Sequence, residues 1–124
     1  MIIKKRINND YYKIMEVRYN DKVCIIAPLC DKLDGNKTQS ILKRICKESR
    51  KVAIDLSYVQ ECSVEFIEAL QKIVNKNLGI FNIPSDIFVL FNIMNVDKYV
   101  NLYVSEIDFE ENSRQILNRK FTVI

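Results

Sequence analysis

Lys51 to Leu56 reads KVAIDL, and this run decides the fold class. It is short, apolar and closed by an acid, which is the pattern of a strand inside a sheet. A loop and then a helix come after it. Ser57 to Cys62 reads as the loop, and Ser63 stands as the N-cap of a helix running to about Lys76. Ile67, Leu70 and Val74 recur there at helical spacing, with Phe66, Ala69 and Ile73 widening the apolar face.

Working downstream, Asn77-Leu78-Gly79 closes that helix and Leu78 to Asn82 supplies another strand. Pro84 suits the first turn of a third helix, Ser85 to Met94, because its missing amide would be unpaired there anyway. Ile87, Leu90, Phe91 and Met94 share one face, and Phe88, Val89 and Ile93 make the helix apolar nearly all round. Such a helix is either buried on both sides or offers a surface to a second copy or another protein. Tyr99 to Val104 reads as an edge strand, Glu106 to Asn118 as a last helix carrying Phe109, Ile116 and Leu117, and Phe121 to Ile124 as a terminal extended piece.

Upstream, Tyr11 to Tyr19 alternates apolar and polar residues, Asn20-Asp21 is a turn dipeptide, and Val23 to Ala27 (VCIIA) is a continuous apolar run. Together they predict a hairpin, ended by Pro28, which cannot donate to a ladder. Leu33-Asp34-Gly35-Asn36 reads as a loop ahead of a helix over Lys37 to Lys47, capped by Asn36 or Thr38 and striped by Ile41, Leu42 and Ile45. The order β-β-α-β-α-β-α-(β)-α predicts a single α/β domain over residues 1–124. Its sheet is expected to be mixed, mostly parallel and of four or five strands, with helices mainly on one face.

Composition agrees with a folded domain: 48% of the 124 residues are hydrophobic, 28% are charged, and only two glycines and two prolines interrupt the chain. The net charge of +3 is small. Lys4, Lys5 and Arg6 read as a solvated tail, and Lys43, Arg44, Lys47, Arg50 and Lys51 as the outer face of a helix with Glu48 among them. Neither is a basic stripe interleaved with exposed aromatics, so nucleic acid is not an expected partner. The longest apolar stretch, Ile87 to Met94, is broken by Asn92 and is far short of the roughly 18 residues a membrane span needs, so no direct membrane insertion is expected. Nothing after Met1 reads as an export signal, and the expected location is the cytoplasm. The four cysteines, Cys24, Cys30, Cys46 and Cys62, form no CxxC pair, and the sequence has no histidine. Neither a metal nor another cofactor is expected. Cys24 in a strand and Cys46 on a helix read as small buried hydrophobes.

Several local sequences, taken in order, carry a resemblance. Lys51 to Val59 (KVAIDLSYV) is similar to the strand of the STAS domain family that ends in a hydrophobic-Asp-Leu-Ser pattern. Ile83 to Val100 (IPSDIFVLFNIMNVDKYV) resembles that family's later helix and the turn after it. Leu33-Asp34 sits where the family has Leu-Asp ahead of its first helix, and Arg119 to Val123 resembles its basic-aromatic ending. The resemblance spans about residues 11 to 124. It implies the STAS-like, anti-sigma factor antagonist fold and a non-enzymatic interaction module that binds a serine-kinase-like anti-sigma factor. The partner would engage the loop Gln60, Glu61, Cys62, Ser63, Val64, Glu65 and Phe66, with the adjoining loop of Asp34 and Asn36. In the family this loop reads Asp-Ser-Ser-Gly, and the partner kinase phosphorylates one serine. Aligned without gaps from Asp55, Ser63 takes the Asp position, Val64 the serine that usually accepts phosphate, Glu65 the second serine and Phe66 the glycine. Valine has no hydroxyl, so the fold is expected to survive and the usual switch is not.

Three questions arise from these residues. Ser63 is either a helix cap or a shifted phosphoacceptor, whose dianion would sit well at a helix N-terminus. Glu65 would oppose that phosphate, or stand as a fixed negative charge in its place. Cys62 precedes the same helix end, which can depress a thiol's pKa, so a small enzyme or redox protein using Cys62 is a further reading. Asp34 and Asp55 lie after different strands and can converge at one sheet end, yet no nucleophile or phosphate loop accompanies them, and an enzyme is not expected. The alternative function is a STAS-like accessory subunit of a membrane lipid-transport ABC complex, whose partner would be a transporter ATPase.

Overall fold

A computed structural model describes residues 4–7, 14–73 and 77–111. In chain order the elements are β1 (Lys4–Ile7), β2 (Met15–Tyr19), β3 (Val23–Pro28), β4 (Lys32–Leu33), α1 (Gly35–Cys46), β5 (Lys51–Asp55), β6 (Glu61–Cys62), α2 (Val64–Gln71), β7 (Leu78–Phe81), α3 (Ser85–Ile93), a 3-10 turn (Val96–Lys98), β8 (Asn101–Leu102) and α4 (Glu106–Glu110). The main sheet runs β1-β2-β3-β5-β7-β8, and β4 pairs with β6 in a separate two-stranded ribbon. β1, β2 and β3 are joined antiparallel, and the pairs from β3 to β8 are parallel. The mixed, largely parallel sheet expected from the sequence is therefore present, with six strands once β1 is counted.

From β3 onward each new strand is added on the same side of the last, so the connecting helices α1, α2 and α3 fall on one face. Strand alternation sorts the side chains accordingly. Cys24, Ile26, Val52, Ile54, Leu78 and Ile80 meet Ile41 and Ile45 of α1, Phe66, Ile67 and Leu70 of α2, and Ile87 and Phe91 of α3. The second face carries Val23, Ile25, Ala53, Phe81 and Tyr103, closed by Phe109 of α4. Gly79 permits that closure: a Cβ there would lie 2.7 Å from Tyr103 Cε2 and 3.1 Å from Phe109 Cδ1. Arg18 of β2 fixes the position of α4, its guanidinium donating to both carboxylate oxygens of Glu106 at 2.8 and 3.2 Å.

Several local expectations are corrected. Lys4 to Arg6 belong to an edge strand and not to a tail; a short charged strand is a common way to end a sheet. Asp34 caps α1, its carboxylate accepting from the Lys37 amide at 3.0 Å while Thr38 Oγ1 donates to the Asp34 carbonyl at 2.7 Å. The helix thus begins at Gly35, ahead of both Asn36 and Thr38. Glu48 is not on a solvated face: it is 4% exposed and accepts from Arg44 Nη1 at 3.0 Å, Arg50 Nε at 2.5 Å and the Arg50 amide at 3.1 Å. Cys46 is exposed, unlike buried Cys24. α2 stops at Gln71, where the Lys72 and Ile73 amides turn back to Ala69 and Leu70 and tighten the last turn. Val74 to Lys76, the part of the last helix beyond Glu111, and Phe121 to Ile124 lie outside the described residues.

Candidate functional site

Two connections meet at the C-terminal ends of β3 and β5, where ligand-binding loops of open α/β sheets gather. The β4–β6 ribbon joins them in parallel, Lys32 opposite Glu61 and Leu33 opposite Cys62. The Gln60 and Glu61 amides both donate to the Asp31 carbonyl, at 2.8 and 3.0 Å, and the Ser63 amide donates to the Leu33 carbonyl at 2.9 Å. The loop Gln60 to Phe66 and the loop of Asp34 and Asn36 are thereby one continuous surface.

Within it each side chain has a defined place. Ser63 caps α2, its hydroxyl accepting from the Phe66 amide at 3.3 Å. Gln60, Glu61, Val64 and Glu65 are exposed, Cys62 is half-buried, and Asn36 faces solvent on the first turn of α1. Val64 is 51% exposed, high for an apolar residue in the first turn of a helix packed on the sheet. Phe66 departs from its assignment to the binding surface. Its ring is buried in the core, so it supports the loop from beneath. The Glu65 carboxylate lies against the start of α1, with Oε2 2.7 Å from where a Cβ on residue 35 would stand. A larger residue at that position would push this flexible side chain aside, and a carboxylate beside a helix N-terminus is electrostatically favoured. Neither a protein-family model nor a curated sequence matches this chain. Residue chemistry and geometry are the grounds for assigning a role to this surface.

Burial pushes the Cys62 thiol up to about 11, so it is protonated at neutral pH and the positive end of α2 does not activate it. Asp34 and Asp55 share no partner. Asp34 is spent on capping α1, whereas Asp55 points to the second face and accepts from the Ser57 amide and hydroxyl at 2.9 and 2.5 Å and from Asn82 Nδ2 at 3.1 Å. Asn82 holds that bond from a left-handed backbone, φ 55°. Among the described residues no group of three or more His, Cys, Asp or Glu is placed to hold a metal, and no helix is long and apolar enough to cross a membrane.

Two further features bear on the site. α3 packs beside β6 and buries Ile87 and Phe91 while leaving Val89 and Ile93 53% and 69% exposed, so its apolar surround divides into a core side and a surface side. A depression of about 350 Å³ lined by Tyr19, Asn20, Asp21, Ser49 and Arg50 lies at the opposite end of the sheet. Its guanidinium, Arg50, is already committed to Glu48, to the Asn20 carbonyl and to the Tyr19 ring. Sequence reading missed Gly35 and the β4–β6 ribbon. The signal for the first was present: Gly35 is one of only two glycines and stands directly after a capping residue.

Proposed function

We propose that this chain is a non-enzymatic protein-interaction module of STAS-like type, acting as an anti-sigma factor antagonist does by binding a serine-kinase-like partner, without the usual phosphoserine switch. The observation that supports this best is the joining of the Gln60–Phe66 and Asp34–Asn36 loops into one rigid, solvent-facing surface by the β4–β6 ribbon. A surface held by backbone hydrogen bonds costs little ordering entropy when a partner docks. The strand order favours the reading too: an antiparallel start followed by parallel strands, with three helices on one face, is the arrangement that the resemblance implies. Val64 stands where the family's phosphoacceptor would be, and the Ser63 hydroxyl is engaged as a cap.

The test is to place a photo-crosslinking residue at Val64, recover the cellular partner, and incubate the purified pair with ATP before mapping phosphate by mass spectrometry. A kinase-like ATP-binding partner, lost on Glu65→Lys and leaving Ser63 unmodified, supports the proposal. Stoichiometric phosphate on Ser63, with switching abolished in Ser63→Ala, overturns the unswitched part. Crosslinking to a transporter ATPase replaces the proposal with the lipid-transport alternative, and no crosslinked protein at all refutes it.

A further inference from the structure

The same surface has a charge pattern that specifies its partner's chemistry. Around exposed Val64 stand the exposed carboxylates of Asp31, Glu61, Glu65 and Glu68, with Tyr58, 55% exposed, in the turn ahead of β6. Val64, Glu65 and Glu68 share the outer side of α2 at helical spacing, and Glu61 lies in β6 just ahead of it. Asp31 is brought to them through its carbonyl's bonds to the Gln60 and Glu61 amides. Among the described residues none of these four carboxylates makes an ion pair. The cation of the ribbon, Lys32, lies opposite Glu61 and offsets one of them. Lys37 is engaged with Asp34 at 3.9 Å. The chain as a whole is basic at +3, so this acidic rim stands against the sign of the molecule.

We infer that the docking surface takes a basic protein surface, a groove lined by Lys or Arg with an apolar pocket that receives Val64. This rests on the interaction module proposed above. An apolar centre within a charged rim is the general anatomy of a protein interface. Complementary charge steers encounter and rejects partners of like sign. One of the rim charges, the exposed Glu65 carboxylate, lies beside the start of α1, where a Cβ on residue 35 would crowd it.

The experiment uses the purified full chain on arrays of peptides about a dozen residues long, each with a central Leu or Phe flanked by Lys and Arg, by Asp and Glu, or by Ser and Gln. The basic set is expected to bind. Its signal should fall about tenfold when salt rises from about 0.05 to 0.3 M, and about tenfold in the Glu65→Lys/Glu68→Lys variant. Val64→Gln should weaken it as well, and far-UV circular dichroism must show these variants folded. Binding of the acidic or neutral set, lost in Val64→Gln, would leave the docking surface standing and overturn its basic partner. Basic peptides that bind equally to all variants sit elsewhere and overturn the inference. No binding by any set also overturns it, while the crosslink at Val64 decides the interaction module independently.

Discussion

Replacing Glu48 by Gln tests the most deeply buried charge among the described residues. Burial by itself would raise the pKa of this carboxyl. The hydrogen bonds from the Arg50 side chain and amide and from Arg44 outweigh that and hold it at about 2, below the ordinary 4.5. At about 1.4 kcal/mol per pH unit, such a difference between folded and unfolded chains contributes roughly 3 kcal/mol at neutral pH. The variant should lose less, about 2 kcal/mol, because the side chains of Arg44 and Arg50 are 24% and 29% exposed and rehydrate. Since the folded pKa lies below the unfolded one, the contribution is complete above about pH 4.5 and disappears as pH falls through about 2. Urea unfolding of both chains at pH 7 should therefore show the full gap, with about two-thirds of it gone near pH 3.5 and none left near pH 2.5. Urea is preferred to guanidinium, which would screen the pairs. An unchanged stability at pH 7, or a gap that does not narrow on acidification, would refute the reasoning.

Other outcomes depend on single contacts. Gly79→Ala should lower stability by about 1–3 kcal/mol in thermal unfolding, because its Cβ meets Tyr103 and Phe109 at 2.7 and 3.1 Å; a neutral result would mean that those rings can give way. In a timed iodoacetamide reaction near pH 8 read by peptide mass mapping, exposed Cys46 should label first, while Cys24 and Cys62, both pushed up to about 11 by burial, lag well behind. Cys62 reacting as fast as Cys46 would revive the redox reading. Asp34→Ala should cost about 0.5–2 kcal/mol in urea unfolding through the lost cap of α1, with Asp34→Asn close to the parent; equal losses in the two would point to charge and not to capping.

What the sequence made legible was whatever repeats. The runs VCIIA and KVAIDL gave β3 and β5 because a strand buried on both faces is continuously apolar, and α3 was found to within a residue from its Pro and its spacing. What it hid is fixed by distant partners. A two-residue strand such as β4 or β6 has no period to detect, so the ribbon that unites the site was invisible. Glu48 looked solvated among lysines and arginines, yet its burial depends on Arg50 beyond the helix end. Asp34 was overlooked as a cap because the adjacent Gly35 read as a turn residue. α2 was drawn too long because Ile73, which is buried, keeps the helical rhythm after the backbone has already turned at Lys72. In the site, the loop residues came from alignment, which put Phe66 on the binding surface although helical spacing had already set it on the apolar face of α2.

The lopsided cover of the sheet has a consequence for how the protein is made. Among the described residues α4 is the only helix over the second face, and Arg18 waits for a partner 88 residues further along the chain. On the ribosome, Val23, Ile25, Ala53 and Phe81 all emerge before Phe109 does. At about 5–20 residues per second the interval is on the order of seconds. Throughout it that apolar face lacks the cover of α4, and a message truncated ahead of Glu106 would yield a polypeptide that Phe109 never covers.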